Sequence, residues 1–428
     1  MTVAEKLEPV VATALGTDLP VRIDCWDGSS LGPPDAKFAL RFTTRRALRR
    51  IMWAPNELGF ARAYVSGDIE IDGDLMGAMS TLNEFADPDR GPGVNIGKDT
   101  TVAIARAAIG LGTLGLPPRR PAEEARLGGR LHSRRRDARA ISHHYDVGND
   151  FYRIVLGPSL VYSCAYFEQE PEAAYGLDEA QRAKLDHVAR KLGLHEGMRV
   201  LDVGCGWGSF VIHAAREYGV HAVGVTLSHE QAVLARERVM AEGLDDLVEI
   251  RVQDYRDITD GPYDAIASIG MAEHVGYDKL PTYAADLYAL LAPSGRLLNH
   301  AISRRPGPRE TKRDKTSFID HYVFPDGELV PVSHMIDVLE TAGFEVRDVE
   351  SLREHYGRTL RAWVSNLEGQ WDRAVRLTSP GRVRVWRLYM AGSALAFEAN
   401  RIGVNQVLAV KTPPQGESKM PLTRATFA

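Results

Sequence analysis

A chain of 428 residues is longer than a single hydrophobic core usually serves, so two domains are expected. Its 44% hydrophobic and 25% charged residues are the composition of a soluble globular protein, and a net charge of -5 gives no reason to invoke nucleic acid. Cys25, Cys164 and Cys205 show no paired spacing, which argues against a disulfide framework or a zinc knuckle and fits a reducing cytoplasm.

The first nineteen residues carry acids and no continuous apolar core, so no cleavable signal is expected there. Residues 1–86 read as a small α+β domain, with period-two alternation over 21–26 and 36–42, helical spacing over 47–51 and 56–65, and a strand between turns over 67–73. The run R-R-A-L-R-R from Arg45 to Arg50 reads either as a solvated helix face or as a surface that meets anionic lipid heads. Residues 87–140 hold clustered glycine, proline and charge, ending in Arg134-Arg135-Arg136, and read as a linker or lid. Inside them the most apolar window, 102–116, is interrupted by Arg106 and glycines and is too short to span a bilayer. Membrane contact is therefore expected to be peripheral.

From residue 141 the pattern tightens into a domain reaching to 412. Polar and aromatic residues crowd into 142–152 and 161–167, and an amphipathic helix over 179–192 ends at Gly193. Next comes V-L-D-V-G-C-G-W-G, an apolar strand running into Gly204, Gly206 and Gly208, followed by helical spacing over 209–218. Strand, glycine turn and helix open a nucleotide-binding unit, because glycine lets the backbone turn tightly and approach a ligand closely. Strands at 221–226, 247–252, 263–269 and 295–302 alternate with helices at 228–241 and 280–291. The fold class is therefore α/β, a doubly wound, mostly parallel sheet with ligands at the carboxyl ends of its strands. Helices are expected at 332–342, 356–371 and 383–400, a last strand at 404–410, and a disordered tail over 413–428.

The glycine spacing is G-x-G-x-G, and the second strand ends in Gly224-Val225-Thr226-Leu227-Ser228 without the acid that binds the ribose of a nicotinamide dinucleotide. Hydroxyls and the Gln231 amide can bind a ribose instead, and an adenine can stack on Tyr255 and bond to Asp254 after the third strand. His143 and His144 are adjacent, which disfavours a metal site there, and no other metal site is read.

Seven blocks in order, H-H-Y-D-V-G-N-D-F-Y, Y-S-C-A-Y-F, V-L-D-V-G-C-G-W-G, V-G-V-T-L-S, Q-D-Y-R-D, S-I-G-M-A-E-H-V-G and E-H-Y-G-R-T-L-R-A-W, resemble the cyclopropane fatty acid synthase family of S-adenosylmethionine-dependent methyltransferases. The resemblance implies that Tyr162, Ser163, Asp202, Gly204, Gly206, Gly208, Thr226, Leu227, Gln231, Asp254 and Tyr255 hold S-adenosylmethionine. It also implies a bicarbonate ion held by Cys164, Glu273, His300, the Ile302 backbone and Tyr356, as the base that deprotonates a carbocation on an unsaturated acyl chain, oleoyl on a phospholipid. Methyl transfer to an alkene needs no acyl-enzyme, so Cys164 is not expected to act as a nucleophile.

The family's leucine-leucine-histidine-threonine-isoleucine appears here as Leu298-Asn299-His300-Ala301-Ile302, a change expected to alter polarity beside the reacting carbons. The change leaves the fate of the cation open between ring closure and methylene formation. Resemblance to the actinobacterial tuberculostearic acid subgroup, whose Ala/Arg/Gly-rich composition the chain shares, implies a 10-methylene-branched product rather than cyclopropane closure. The partners so implied are an anionic membrane surface met by Arg45–Arg50, Arg134–Arg136 and Arg304–Lys315, a flavin-dependent reductase acting on the product, and a second copy in a homodimer. Methyl transfer to oxygen or nitrogen of a small molecule, and a non-enzymatic lipid carrier, are the competing readings.

Overall fold

The structure, a computed structural model, describes residues 1–15, 19–86, 98–113, 115–125, 136, 147–172, 174–308 and 316–427. The calls on His143, His144, Arg134, Arg135 and the basic stretch 309–315 lie outside these residues.

One compact unit comprises residues 1–125, 312–323 and 378–395. Its four-stranded sheet has the order β2-β1-β3-β4, with β1 (Arg22–Asp24), β2 (Ser30–Leu31), β3 (Ala39–Phe42) and β4 (Ile69–Asp72). β1 and β3 are parallel and the other neighbours antiparallel. Thr44 and Asn56 cap the helices Arg45–Trp53 and Glu57–Val65, each accepting a backbone N–H with its side chain. The basic run is not a uniform solvated face. Arg50 is buried and donates to buried Asp68 at 2.8 Å, and the Arg46 Nε donates to the same carboxylate at 3.1 Å. The linker expectation is corrected as well, because Lys98–Gly110 is a helix. Contiguous domain boundaries also missed that 312–323 and 378–395 belong to this unit.

The second unit comprises residues 126–311, 324–377 and 396–428. Its seven-stranded sheet has the order β10-β11-β9-β8-β5-β6-β7, formed by β5 (Arg199–Val203), β6 (His221–Thr226), β7 (Val248–Val252), β8 (Tyr263–Ile269), β9 (Leu291–Arg304), β10 (Glu345–Ser351) and β11 (Ile402–Val410). β5 to β9 run parallel, and β11 lies antiparallel to both β9 and β10. β5 is buried almost end to end, as a parallel strand covered on both faces must be. On one side Val200, Ala265 and Leu298 pack with Val188, Phe210 and Ala235 of the helices Leu177–Leu192, Ser209–Tyr218 and His229–Ala241. On the other, Leu201, Ile266 and Leu297 pack with Leu287 and Leu339 of the helices Leu280–Leu290 and Val332–Thr341.

The tail is ordered over its described residues. Glu417 O accepts from Ser294 Oγ at 2.9 Å, Lys419 O from Arg296 at 3.1 Å, and Arg424 pairs with Asp348 at 2.5 Å. Polar anchors of this kind leave no hydrophobic period in the sequence.

Candidate functional site

Neighbours of β5 leave it in opposite directions, towards β6 and towards β8, so the connecting loops part at its carboxyl end and open a crevice. A cavity of about 250 Å³ lies there. β5 contributes Asp202, Gly204 and Gly206, and β6 contributes Thr226 and Leu227 with Gln231 just beyond it. Asp254 and Tyr255 follow β7, and the preceding segment brings Tyr162 and Ser163.

Gly204 has φ +85°, and a Cβ there would meet the Met271 side chain at 3.2 Å, so both conformation and space call for glycine. Its N–H and that of Cys205 both donate to Val225 O, which ties the turn to β6. Gly208 does not line the cavity. With φ +78° it starts the next helix, where a Cβ would lie 3.2 Å from Ala235, so its role is to pack two helices.

Thr226 Oγ1 donates to Gln231 Oε1 at 2.8 Å, leaving the Gln231 Nε2 as the end available to a ligand. Asp254, expected to bond an adenine, instead accepts from Arg256 Nε at 2.8 Å and Nη2 at 2.6 Å. That arginine, Arg256, stands two residues on in the same Q-D-Y-R-D block and shares the carboxylate with any ligand. Sequence reasoning also missed Lys184 and His274, both in the lining. Burial pushes Lys184 down to about 8 and His274 down to about 4, and pushes Asp202 up to about 7.

The five residues read as an anion pocket do not line this cavity. They are nevertheless linked. Glu273 Oε1 accepts from the Ile302 N–H at 2.7 Å. Ile302 pairs with Val404, whose carbonyl accepts from Leu352 N, and Leu352 O in turn accepts from Tyr356 N and, at 3.6 Å, from the Cys164 thiol. Gln406 Nε2 lies within hydrogen-bond distance of His300 Nδ1, at 3.3 Å.

Glu273 Oε2 and His300 Nε2 are both buried and have no hydrogen-bond partner among the described residues. Burial raises Glu273 to about 7 and lowers His300 to about 3, with Lys184 and Lys191 adding to the His300 shift. Burial likewise raises the Cys164 thiol, which removes it as a thiolate nucleophile at neutral pH. Two unmet polar atoms, a carboxyl oxygen and an imidazole nitrogen, are of a kind that a small protonatable oxyanion such as bicarbonate would bond. Tyr356 is buried with its ring 4.6 Å from Phe397 and 6.1 Å from Trp363.

Asn299 is buried in a polar network. Its Nδ2 donates to Tyr283 OH at 3.0 Å, and Tyr283 OH donates to Ser268 Oγ at 2.7 Å. Side chains alternate along β9, so this network lies on the face opposite His300.

Residues 132–407 match the family described as mycolic acid cyclopropane synthetase. A Mycobacterium tuberculosis protein named probable fatty acid methyltransferase is 42% identical over 99% of this chain and 97% of its own. One named tuberculostearic acid methyltransferase UfaA1, from the same organism, is 33% identical over 93% of this chain and 89% of its own. Among solved structures, mycolic acid cyclopropane synthase CmaA1 complexed with SAH and CTAB superposes with a TM-score of 0.59 at 33% identity, covering 64% of this chain and 98% of that one. The glycine cradle and the unpartnered Asp202 Oδ1 in the cavity fit S-adenosylmethionine.

Proposed function

The chain belongs to the mycolic acid cyclopropane synthetase family and is an S-adenosylmethionine-dependent methyltransferase, and from that premise we propose that it methylates the cis double bond of an oleoyl chain carried on a phospholipid, giving a 10-methylene branch. The observation that carries this reading is the pair of buried, unmet polar atoms, Glu273 Oε2 and His300 Nε2, in the same domain as the cavity that fits the methyl donor. Methyl transfer to oxygen or nitrogen would want a base poised at the heteroatom and no anion pocket.

When bound, S-adenosylmethionine supplies an electrophilic sulfonium methyl. An alkene is a weak, uncharged nucleophile, so the chain's own task is alignment and exclusion of water. The rings of Trp207, Tyr152, Tyr162 and Trp363 follow one another with centroids 4.7 to 5.7 Å apart, from the glycine turn towards Tyr356. Aromatic faces along this path stabilise a cation on the acyl chain through their quadrupoles. Cys164, Glu273, His300, the Ile302 N–H and Tyr356 would hold a bicarbonate, which would supply a base. Glu273, near neutrality in its proton affinity, buffers the proton in that pocket.

The methylene product, preferred to ring closure, follows the relative named tuberculostearic acid methyltransferase, which aligns over 93% of the chain. A methylene branch is an alkene that a flavin-dependent reductase would reduce. We assign the lipid encounter to peripheral contact with an anionic membrane. No helix among the described residues is long and apolar enough to cross a membrane.

The test is lipid analysis of cells expressing the protein and fed a methyl-labelled donor precursor. Label in phospholipid acyl chains with exocyclic methylene protons in the NMR spectrum supports the proposal. Cyclopropane protons select ring closure, and the absence of labelled acyl chains overturns the reading.

A further inference from the structure

Ser163 is gripped twice by one helix. Gln181 and Lys184, one turn apart on Leu177–Leu192, are both buried, and both reach back to it. Gln181 Nε2 donates to the Ser163 carbonyl and Lys184 Nζ to the Ser163 hydroxyl oxygen, each at 3.0 Å. We propose that Lys184 is a positioning residue: it fixes the Ser163 hydroxyl as a donor, and adds a buried positive charge, for the carboxylate end of the amino-acid moiety of the methyl donor. This rests on the reading of the cavity as the donor site.

Lysine is almost never fully buried without a paired carboxylate. Among the described residues Lys184 forms no ion pair, Asp202 acting on it only beyond contact distance, and its ammonium, with three protons to donate, has the neutral Ser163 hydroxyl as its hydrogen-bond partner. A packing role alone would be served by an apolar side chain of similar length, without taking a charge out of water.

The hydroxyl adds a second observation. Because Ser163 Oγ already accepts from Lys184, its own proton is left to point elsewhere, and among the described residues it has no acceptor. Ser163 lines the cavity, so an acceptor supplied by a ligand would meet it.

Asp202 lines the same cavity, is buried, and has an unpartnered Oδ1. A cation and a carboxylate that share one wall without pairing are the complement of a zwitterion, –COO⁻ beside –NH₃⁺. Methionine's end of the donor is such a group, with its carboxylate matched to Lys184 and Ser163 and its ammonium to Asp202.

The proposal is tested by calorimetric titration of the wild-type protein and Lys184→Met with S-adenosylhomocysteine, and with 5′-methylthioadenosine, which lacks the amino-acid end. Lys184→Met should bind S-adenosylhomocysteine about 10- to 100-fold more weakly, the range set by losing a charged hydrogen bond, and bind 5′-methylthioadenosine as the wild type does. Ser163→Ala, which removes no buried charge and so spares the fold, should show the same selective loss in smaller degree. Equal weakening of both ligands, or of neither, overturns the proposal. A wild-type protein that binds 5′-methylthioadenosine but gains nothing from the amino-acid end overturns it too. A wild-type protein that binds neither ligand instead overturns the donor reading of the cavity.

Discussion

Glu273 is a carboxyl inside the fold with one oxygen bonded to a backbone N–H and the other unmet. Its proton is held more tightly in the folded chain than in the unfolded one, since burial raises it from 4.5 to about 7. The unfolded chain loses that proton first, so stability falls as pH rises through this window, and the loss is complete above about pH 7. Glu273→Gln removes the effect. Relative to wild type, the variant should gain roughly 2–3 kcal/mol in urea unfolding between pH 4 and pH 8. A pH-independent difference would contradict the buried, unpaired carboxyl. The same substitution, like Tyr356→Phe, should abolish most turnover while leaving S-adenosylhomocysteine affinity close to wild type. Full activity in either variant would disprove the anion-pocket assignment. The residues proposed for the pocket were nameable from the sequence because Cys164, Glu273 and Tyr356 fall in ordered blocks resembling one family, with His300 and Ile302 in a divergent stretch of the same order. Lys184 was not, since a lysine on an amphipathic helix reads as solvated until its neighbours in space are known.

At the scale of elements, the glycine turn depends on the strand beside it. Gly224, mid-way along β6, has no unusual backbone angle, but a Cβ there would lie 2.9 Å from both Cβ and Sγ of Cys205 in the turn. Gly224→Ala should therefore cost about 1–3 kcal/mol in stability and weaken S-adenosylhomocysteine binding through the displaced turn. Gly197→Ala is its control: φ is +81° in open space, so it should cost about 1–2 kcal/mol of backbone strain with binding unchanged. Thermal unfolding and titration of both variants decide this, and a Gly224→Ala protein that binds like wild type would show that the turn does not lean on β6.

The parallel strands β5 to β8 were readable because buried runs alternate with amphipathic helices. β2, only two residues long, was not. Nor was β10, whose burial pattern is mostly exposed and intermediate and which owes its place to pairing with β11.

At the scale of the molecule, the α/β domain was legible and the division into units was not. Segments 312–323 and 378–395 join the first unit through contacts distant in sequence, which no local pattern reveals. That unit also carries a candidate for the membrane contact proposed above. Trp53, 58% exposed, donates its indole N–H to Gly115 O at 3.0 Å, beside Leu116, 84% exposed. The exposed guanidinium groups of Arg46 and Arg120 belong to the same unit. An exposed aromatic ring and an apolar tip, in a unit that also exposes cations, suit the interface of an anionic bilayer. Sedimentation with phosphatidylglycerol vesicles should fall with salt, and Trp53→Ser with Leu116→Ser should remove most of what survives at high salt. Unchanged sedimentation would remove this corner from the contact.

The short strip from Ser163 to Ala165 is fixed at each residue in turn. Ser163 is bonded to the helix Leu177–Leu192, Cys164 to the Leu352 carbonyl, and the Ala165 N–H to Thr359 Oγ1 at 3.0 Å. Successive residues thus serve different partners, Ser163 at the cavity and Cys164 and Ala165 at the segment 352–359. Exchanging one side chain here disturbs one attachment, but gaining or losing a single residue would shift every attachment at once. Over evolutionary time, the length of this strip is therefore a tighter constraint on the enzyme than its spelling.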